Sequence, residues 1–271
     1  MLTMLTFLAA QAAAPCVALP GIDALLATPK LQWLMLGEQH GTSETPAAFA
    51  DIVCHASRVR RPVIVALEMF ESEQPAIETF LTSDGGPAAR AALLTSATFA
   101  AKMQDGRGST AMLTLLDRFR MMKMSGRIRR VMGFRPDAAS GNEAVEAGMA
   151  DILRRAGADG SLVVAMAGNV HAAVQPVTFG DRSYLPAAAR LPRESTRTLN
   201  ARGNGGAQWS CFMTPTNAAP GGSVTCGARD FGPAAETMPR GIVLDPAPDA
   251  RWSGQLNLGV ATSAAPPATS R

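Results

Sequence analysis

The chain has 271 residues, of which 47% are hydrophobic and 17% are charged, and its formal net charge is +3. This composition is typical of a globular protein with a sizeable core. The basic residues are mostly arginines dispersed along the sequence, and aromatic residues make up only 5%. A nucleic-acid interface needs a broad basic stripe with stacking aromatics, so the composition argues against nucleic acid as a partner.

The N-terminal residues 1–14 are apolar and end in a run of alanines interrupted only by Gln11. This pattern is typical of the hydrophobic region and cleavage site of a signal peptide, although no basic residue precedes it. The segment is too short to span a membrane stably. We therefore expect an exported protein, periplasmic or secreted, whose mature chain begins near Pro15. A misplaced start codon and an ordinary N-terminal helix are the alternatives.

Four short apolar runs predict buried strands at residues 33–36, 62–67, 129–133 and 161–167. Helical patterns lie between them: one capped by Thr45 with Pro46 at its first position, pieces within 73–94 broken at 85–87, one capped by Ser109, and one over 143–156. This alternation predicts an α/β fold, with a mostly parallel sheet covered by helices on both faces.

The C-terminal part of the sequence changes character after Arg193. Shorter strand-like segments at 196–199, 209–213 and 241–244 predict either an extension of the sheet at its edge or a small additional lobe. Residues 246–271 are rich in Ala, Pro, Ser and Thr and offer little to bury. We therefore expect one α/β domain over 15–245, followed by a flexible tail.

The four cysteines are compatible with an oxidising compartment. Cys211 and Cys226 flank a loop rich in Pro, Gly and Asn, which a disulfide could hold closed. That bond would leave Cys16 and Cys54 as the second pair. Other pairings, and four buried thiols, remain open, and no Cys-x-x-Cys motif indicates a redox or zinc centre.

Polar residues follow each of the four predicted strands. Because ligands bind outside the carboxyl ends of parallel strands, these residues define a candidate site. The segments are Gly37-Glu38-Gln39-His40, Leu67-Glu68, Phe134-Arg135 and Gly168-Asn169-Val170-His171. Taken singly, a glutamate here can cap a helix or pair with Arg135, and a histidine can be structural. Taken together, they predict one functional site.

Two chemistries suit this set of residues. His40, His171, Glu38 and Glu68 could hold a divalent metal with a bound water as nucleophile. Alternatively, a histidine oriented by a carboxylate acts as a general base without metal. Arg135, which follows a strand directly, and Arg107, which precedes a helix, are candidates for binding an anionic part of the substrate, and Arg107 could equally belong to a plain loop.

These motifs resemble the superfamily that joins erythromycin esterases, ChaN-type haem-uptake lipoproteins and Tiki/TraB proteins. Met149-Ala150, on the helix before the last motif, is similar to a pair that ChaN-like proteins carry there. In esterase-like members the resemblance implies His40 as the base that activates water, supported by Glu38, Glu68 and His171. In Tiki-like members the same residues would bind a divalent metal for peptide hydrolysis.

In ChaN-like members a tyrosine binds haem iron, and the single tyrosine here, Tyr184, lies outside the matching region. The first motif also departs from the spacing of erythromycin esterases, which argues against a macrolide substrate. The leading hypothesis is an exported hydrolase that acts on an ester or amide bond of a small molecule or peptide. A non-catalytic haem- or metal-binding protein and an inactive structural member of the superfamily are the alternatives.

Overall fold

The structure is a computed structural model that describes residues 15–179, 182–214, 223–245, 247 and 249–269. The expected signal peptide lies outside these residues. The strands, in chain order, are β1 Trp33–Glu38, β2 Val63–Phe70, β3 Arg130–Arg135, β4 Leu162–Gly168, β5 Val177–Phe179, β6 Arg182–Tyr184, β7 Thr196–Arg202, β8 Gly205–Thr214, β9 Ser223–Pro233, β10 Gly241–Leu244 and β11 Gly254–Asn257.

The helices are α1 Ile22–Leu26, α2 Glu44–Ala56, α3 Gln74–Leu81, α4 Pro87–Leu93, α5 Thr110–Met124 and α6 Asn142–Gly157. Five of these six α-helices lie between the strands, as the hydrophobic periodicity predicts, whereas α1 precedes β1 and was not predicted. The predicted cap of α5 is confirmed, since the Ser109 hydroxyl accepts the N–H of Met112 at 3.4 Å. The predicted cap of α2 is wrong: the helix begins before Thr45, whose hydroxyl instead accepts a hydrogen bond from that of Thr42.

Seven strands form one sheet in the order β10-β11-β7-β1-β4-β2-β3. All neighbouring pairs are parallel except β10 and β11. Apolar side chains on one face of the central strands pack against α2, α3 and α5, and those on the other face pack against α6. The α/β class predicted from the sequence is therefore confirmed, and the central strands are apolar because both of their faces are covered.

The sequence left open whether the C-terminal strands extend the sheet or form an additional lobe, and different strands do each. Strands β7, β10 and β11 extend the sheet, whereas β8 and β9 form a separate two-stranded sheet, a long antiparallel hairpin. The expectation of a flexible tail over 246–271 is wrong for much of this segment. Strand β11 pairs with β7, the side chain of Leu256 is fully buried, and Ala265 donates its N–H to the Gly41 carbonyl.

Two disulfides join the pairs that the cysteine spacing suggested. Cys16–Cys54 ties the N-terminal segment to α2, and Cys211–Cys226 links β8 to β9. The guanidinium of Arg127 lies against the first bond, with Nη2 at 3.0 Å and 2.9 Å from its two sulfur atoms. None of the helices in the described part of the chain combines the length and apolar composition that a bilayer span requires.

Candidate functional site

The sheet order brings the four polar strand ends together. Strands β1, β4, β2 and β3 are parallel neighbours, so their carboxyl ends lie at the same edge. All six residues singled out in the sequence lie there: Glu38, His40, Glu68, Arg107, Arg135 and His171. These side chains lie close together because the strands that carry them are neighbours in the sheet. None of the individual sequence motifs specifies that strand order.

The carboxylate of Glu68 lies at the centre of this group. It is buried, with 6% exposure. Its Oε1 accepts hydrogen bonds from Nη1 of Arg107 at 2.9 Å and from Nη1 of Arg135 at 3.0 Å. Its Oε2 accepts the backbone N–H of Gly168 at 2.9 Å. A buried carboxylate needs such compensation, and here two guanidiniums and one amide provide it.

An irregularity in β2 accompanies the position of Glu68. The register between β2 and β3 shifts after Leu67 and resumes at Phe70, as in a β-bulge. Gly133 makes this close approach possible, because a Cβ atom there would lie only 2.4 Å from the Phe70 carbonyl oxygen. The bulge lies at the edge of the sheet where the polar strand ends meet, and bulges in such places commonly redirect a side chain.

His40 is held between two carboxylates. Its Nδ1 lies 3.0 Å from Oε1 of Glu38, and its Nε2 lies 3.4 Å from Oε2 of Glu68. Burial alone lowers the pKa of this imidazole, but the charge of Glu68 and the hydrogen bonds to Glu38 and Glu68 outweigh burial and raise the pKa to about 10. His40 is therefore an imidazolium at neutral pH.

The same charges act on Glu68. Burial raises the pKa of the Glu68 carboxyl, but the positive charge of His40, the hydrogen bond from His40 and the charge of Arg107 outweigh burial and lower the pKa well below its ordinary value. The centre of the site is consequently an ion pair between His40 and Glu68, with two guanidiniums beside it.

His171 is oriented by a residue that the sequence analysis missed. Its Nδ1 lies 2.8 Å from Oε1 of Glu146 in α6, and its Nε2 lies 3.7 Å from Oε1 of Glu68. Glu146 is 1% exposed. The signal was a charged residue on the buried stripe of α6, one turn before Met149, where burial without a partner would be costly.

The two guanidiniums are directed at Glu68. Arg107 also donates from Nε and Nη2 to Asp105, at 3.1 Å and 2.6 Å from Oδ2. Arg135 stacks on Phe70, with its guanidinium carbon 5.5 Å from the ring centroid. Substrate binding by these arginines remains a prediction, and for Arg107 it would require an exchange of the bonds that it makes within the protein.

Two glycines allow the close approach of the strand ends. A Cβ atom at Gly37 would lie 2.8 Å from the Cα of Asn169, so this glycine lets the two motifs touch. A Cβ atom at Gly168 would lie 3.1 Å from Nε2 of His40 and 3.5 Å from Cδ2 of His171. The two imidazole rings therefore flank the same bare position on β4.

A cleft of about 380 Å³ opens above these rings. It is lined by both histidines, by Asp105 and by residues from the β1 and β4 ends, and its outer wall is formed by Gln208, Ser210 and Cys211 of β8. Trp209 anchors this wall by donating its indole N–H to the Gln104 carbonyl and its backbone N–H to Gly41. The β8–β9 hairpin thus encloses the site that the parallel strands create.

The donor set does not fit a divalent metal. Both oxygens of Glu68 are already hydrogen-bonded, two guanidiniums face its carboxylate, and the Nδ1 atom of each histidine is paired with another carboxylate. Within the described ranges, no group of three His, Cys, Asp or Glu side chains has the geometry of a metal site. Tyr184, the candidate haem ligand, is not among the residues that line the cleft.

Comparison with solved structures shows similarity of fold. A mutant of the erythromycin esterase EreC in its open conformation has 12% identity and a TM-score of 0.63, covering 92% of this chain and 91% of that one. A protein from Bacillus cereus has 8% identity and a TM-score of 0.56, covering 92% of each chain. A succinoglycan biosynthesis protein has 11% identity and a TM-score of 0.52, covering 77% and 73%.

No family model and no curated protein matches the sequence. The resemblance to erythromycin esterases is accordingly confirmed at the level of the fold, which extends over most of both chains.

Proposed function

We propose that this protein is a metal-independent hydrolase that uses a histidine-activated water to cleave an ester or amide bond. One observation carries the proposal: two histidine–carboxylate pairs, His40 with Glu38 and His171 with Glu146, face each other across Glu68 at the floor of one cleft. An arrangement of this kind places a proton acceptor and a proton donor beside the same position. The similarity of fold to an erythromycin esterase supports it.

His171 is the general base in this proposal. Its Nδ1 is engaged by Glu146, so in its neutral form the lone pair is on Nε2. The 3.7 Å separation from Glu68 is too long for a hydrogen bond, which leaves Nε2 available to a water molecule in the cleft. Nε2 takes a proton from that water while its oxygen attacks the carbonyl carbon of the substrate.

His40 is the general acid. The resemblance implied that His40 is the base, but an imidazole whose pKa is raised to about 10 holds its proton at neutral pH. Its charge stabilises the negative oxygen of the tetrahedral intermediate. Nε2 then gives its proton to the leaving alcohol or amine as the carbon–oxygen or carbon–nitrogen bond breaks, and the two histidines return to their starting states through solvent.

Glu68 and the arginines act as positioning groups. Glu68 keeps His40 charged, and Arg107 and Arg135 keep Glu68 ionised within a buried environment. The polar walls formed by Gln39, Gln208 and Ser210 favour a substrate with hydrogen-bonding groups, such as a small polar ester or a peptide. Export is part of the proposal as well, because two disulfides persist in oxidising compartments.

The test is a hydrolysis screen with the purified chain against fluorogenic esters and a mixed peptide library. The His171→Gln variant serves as the matched blank, since Gln retains a side-chain amide near Glu146. We expect at least one substrate class to be cleaved by the wild type and not by the variant. Equal background cleavage by both proteins across the whole panel would contradict the proposal.

A further inference from the structure

The end of the sheet opposite the catalytic cleft carries a second pocket. It has a volume of about 260 Å³ and lies at the amino end of β4, where Leu162 forms part of its lining. Lys30, which precedes β1, lines one side, and Arg60 and Arg61, which precede β2, line another. Three cationic residues from two separate segments of the sequence therefore line one pocket.

These three cations have no anionic partner in the part of the chain that the structure describes. Arg61 is half-buried and donates to the Leu31 carbonyl, which is neutral. Lys30 and Arg60 are exposed and make no hydrogen bond or ion pair with a described residue. Burial lowers the pKa of Arg61, as expected for a guanidinium that is partly desolvated without a carboxylate beside it.

The positive charge at this end extends beyond the pocket. Arg58 and Arg130 are also exposed and make no ion pair with a described residue. Arg129, next to Arg130 in the sequence, does form an ion pair, with Asp159. Arginines that look dispersed in the sequence are thus concentrated by the fold, because the segments that precede parallel strands end up together. Such a surface attracts anions over several ångströms.

Lys30 provides a second, independent indication. Its φ of 56° is the one positive value among the non-glycine residues that the structure describes. A lysine in the left-handed region stores conformational energy that Gly or Asn would avoid. Strained residues of this kind concentrate at ligand-binding positions, and this one lines the pocket.

We propose that this pocket binds a phosphate group of an anionic ligand. A phosphate carries more negative charge than a carboxylate and presents several acceptor oxygens, which matches a set of one ammonium and two guanidiniums. Leu26, Leu31 and Val59 line the same pocket and would contact an apolar part of the ligand next to the phosphate. The phosphate could belong to a small soluble molecule or to the headgroup of a phospholipid.

The experiment has two arms, both with the full chain. Calorimetric titration with inorganic phosphate tests the soluble source. Co-sedimentation with phosphatidylglycerol vesicles, compared with phosphatidylcholine vesicles, tests the lipid source. We expect saturable binding in at least one arm that weakens as salt is raised. Phosphate binding alone assigns a soluble ligand, vesicle binding assigns a headgroup, and absence of both overturns the proposal.

Single-residue variants distinguish binding in this pocket from non-specific attraction of anions to a basic protein. Lys30→Gly removes the ammonium and suits the positive φ, so it is expected to leave the melting temperature unchanged or raised. Lys102→Gln removes one exposed charge elsewhere and is the matched control. We expect the Kd to rise about fivefold or more for Lys30→Gly and for Arg60→Gln. An equal effect of Lys102→Gln would overturn the assignment of the pocket.

Discussion

Nδ1 of His171 lies 2.8 Å from Oε1 of Glu146, and the other oxygen of that carboxylate accepts the N–H of Ala187 at 2.8 Å. Glu146 is fixed at both oxygens and is nearly inaccessible to solvent. It therefore sets both the ring orientation and the tautomer of His171, so that Nε2 is the atom presented to the cleft. The proposed mechanism depends on this relationship.

Replacement of Glu146 by Gln is expected to lower kcat about 100-fold or more with little change in KM, because an amide does not stabilise the required tautomer and the imidazolium as a carboxylate does. Steady-state kinetics measure the split, and nitrogen-15 spectra of the three histidines report the tautomer of His171. Glu143→Gln is the matched control, since Glu143 is an exposed residue of the same helix that pairs with Arg190. An unchanged kcat and tautomer in Glu146→Gln would refute the positioning role.

The protonation of His40 can be measured directly. We expect its ring resonances to remain those of the imidazolium through pH 8 and to titrate near pH 10. Glu38→Gln removes one of the two carboxylates and is expected to shift that titration to lower pH. A titration of His40 near its ordinary value of 6.5 in the wild type would show that the two carboxylates do not hold the proton.

The same shift makes stability depend on pH with a definite sign. The folded-state pKa of His40 is raised, so its contribution to the free energy of unfolding is fully present below pH 6.5 and is lost as pH rises towards about 10. Melting temperatures recorded over this interval should fall less in His40→Gln than in the wild type. Parallel curves for the two proteins would contradict the link between this proton and stability.

The ion pair between Arg107 and Glu68 can be used to measure how much the guanidinium stabilises the buried carboxylate of Glu68. Arg107→Gln leaves Glu68 with fewer positive neighbours and is expected to reduce the free energy of unfolding by about 2 kcal/mol, less than a fully buried pair because Arg107 is partly exposed. The double variant with Glu68→Gln should recover part of that loss. Denaturant titrations of the two single variants and the double variant measure the coupling, and strict additivity would exclude it.

Metal independence is a separate expectation. The oxygens of Glu68 are hydrogen-bonded to arginines and a backbone amide, so a divalent cation would have to displace these groups. Turnover is therefore expected to survive dialysis against a chelator, and added zinc or manganese should not increase it. Loss of activity on chelation that returns with one metal would contradict this interpretation of the donor set.

Much of the site could be predicted from the sequence because its key residues follow buried strands. Glu38 with His40, Glu68 and His171 each come at or just after an apolar run, and parallel strands bring such ends to one edge. The sequence analysis did not identify Glu146, because its contact with His171 depends on how α6 packs over the turn after β4. A glutamate on the apolar face of a helix indicates that its carboxylate has a buried partner, but the pattern does not identify that partner.

The C-terminal part was harder to predict for a different reason. Strand β11 consists of Gly254–Asn257 and lacks a long apolar run, and its place between β7 and β10 depends on hydrogen bonds rather than on side-chain pattern. The β8–β9 hairpin carries polar residues on the wall of the cleft, and its own apolar alternation is weak. Local sequence does not contain the tertiary contacts that position these elements.

The most direct measurement of the central claim compares three single histidine-to-glutamine variants on one identified substrate. His55 lies outside the site and bonds through Nε2 to the Val17 carbonyl, so it controls for the substitution itself. The account predicts that kcat/KM falls by a factor of about 100 or more in His40→Gln and in His171→Gln, and stays near the wild-type value in His55→Gln. Wild-type turnover in either His40→Gln or His171→Gln, with the fold intact, would contradict it.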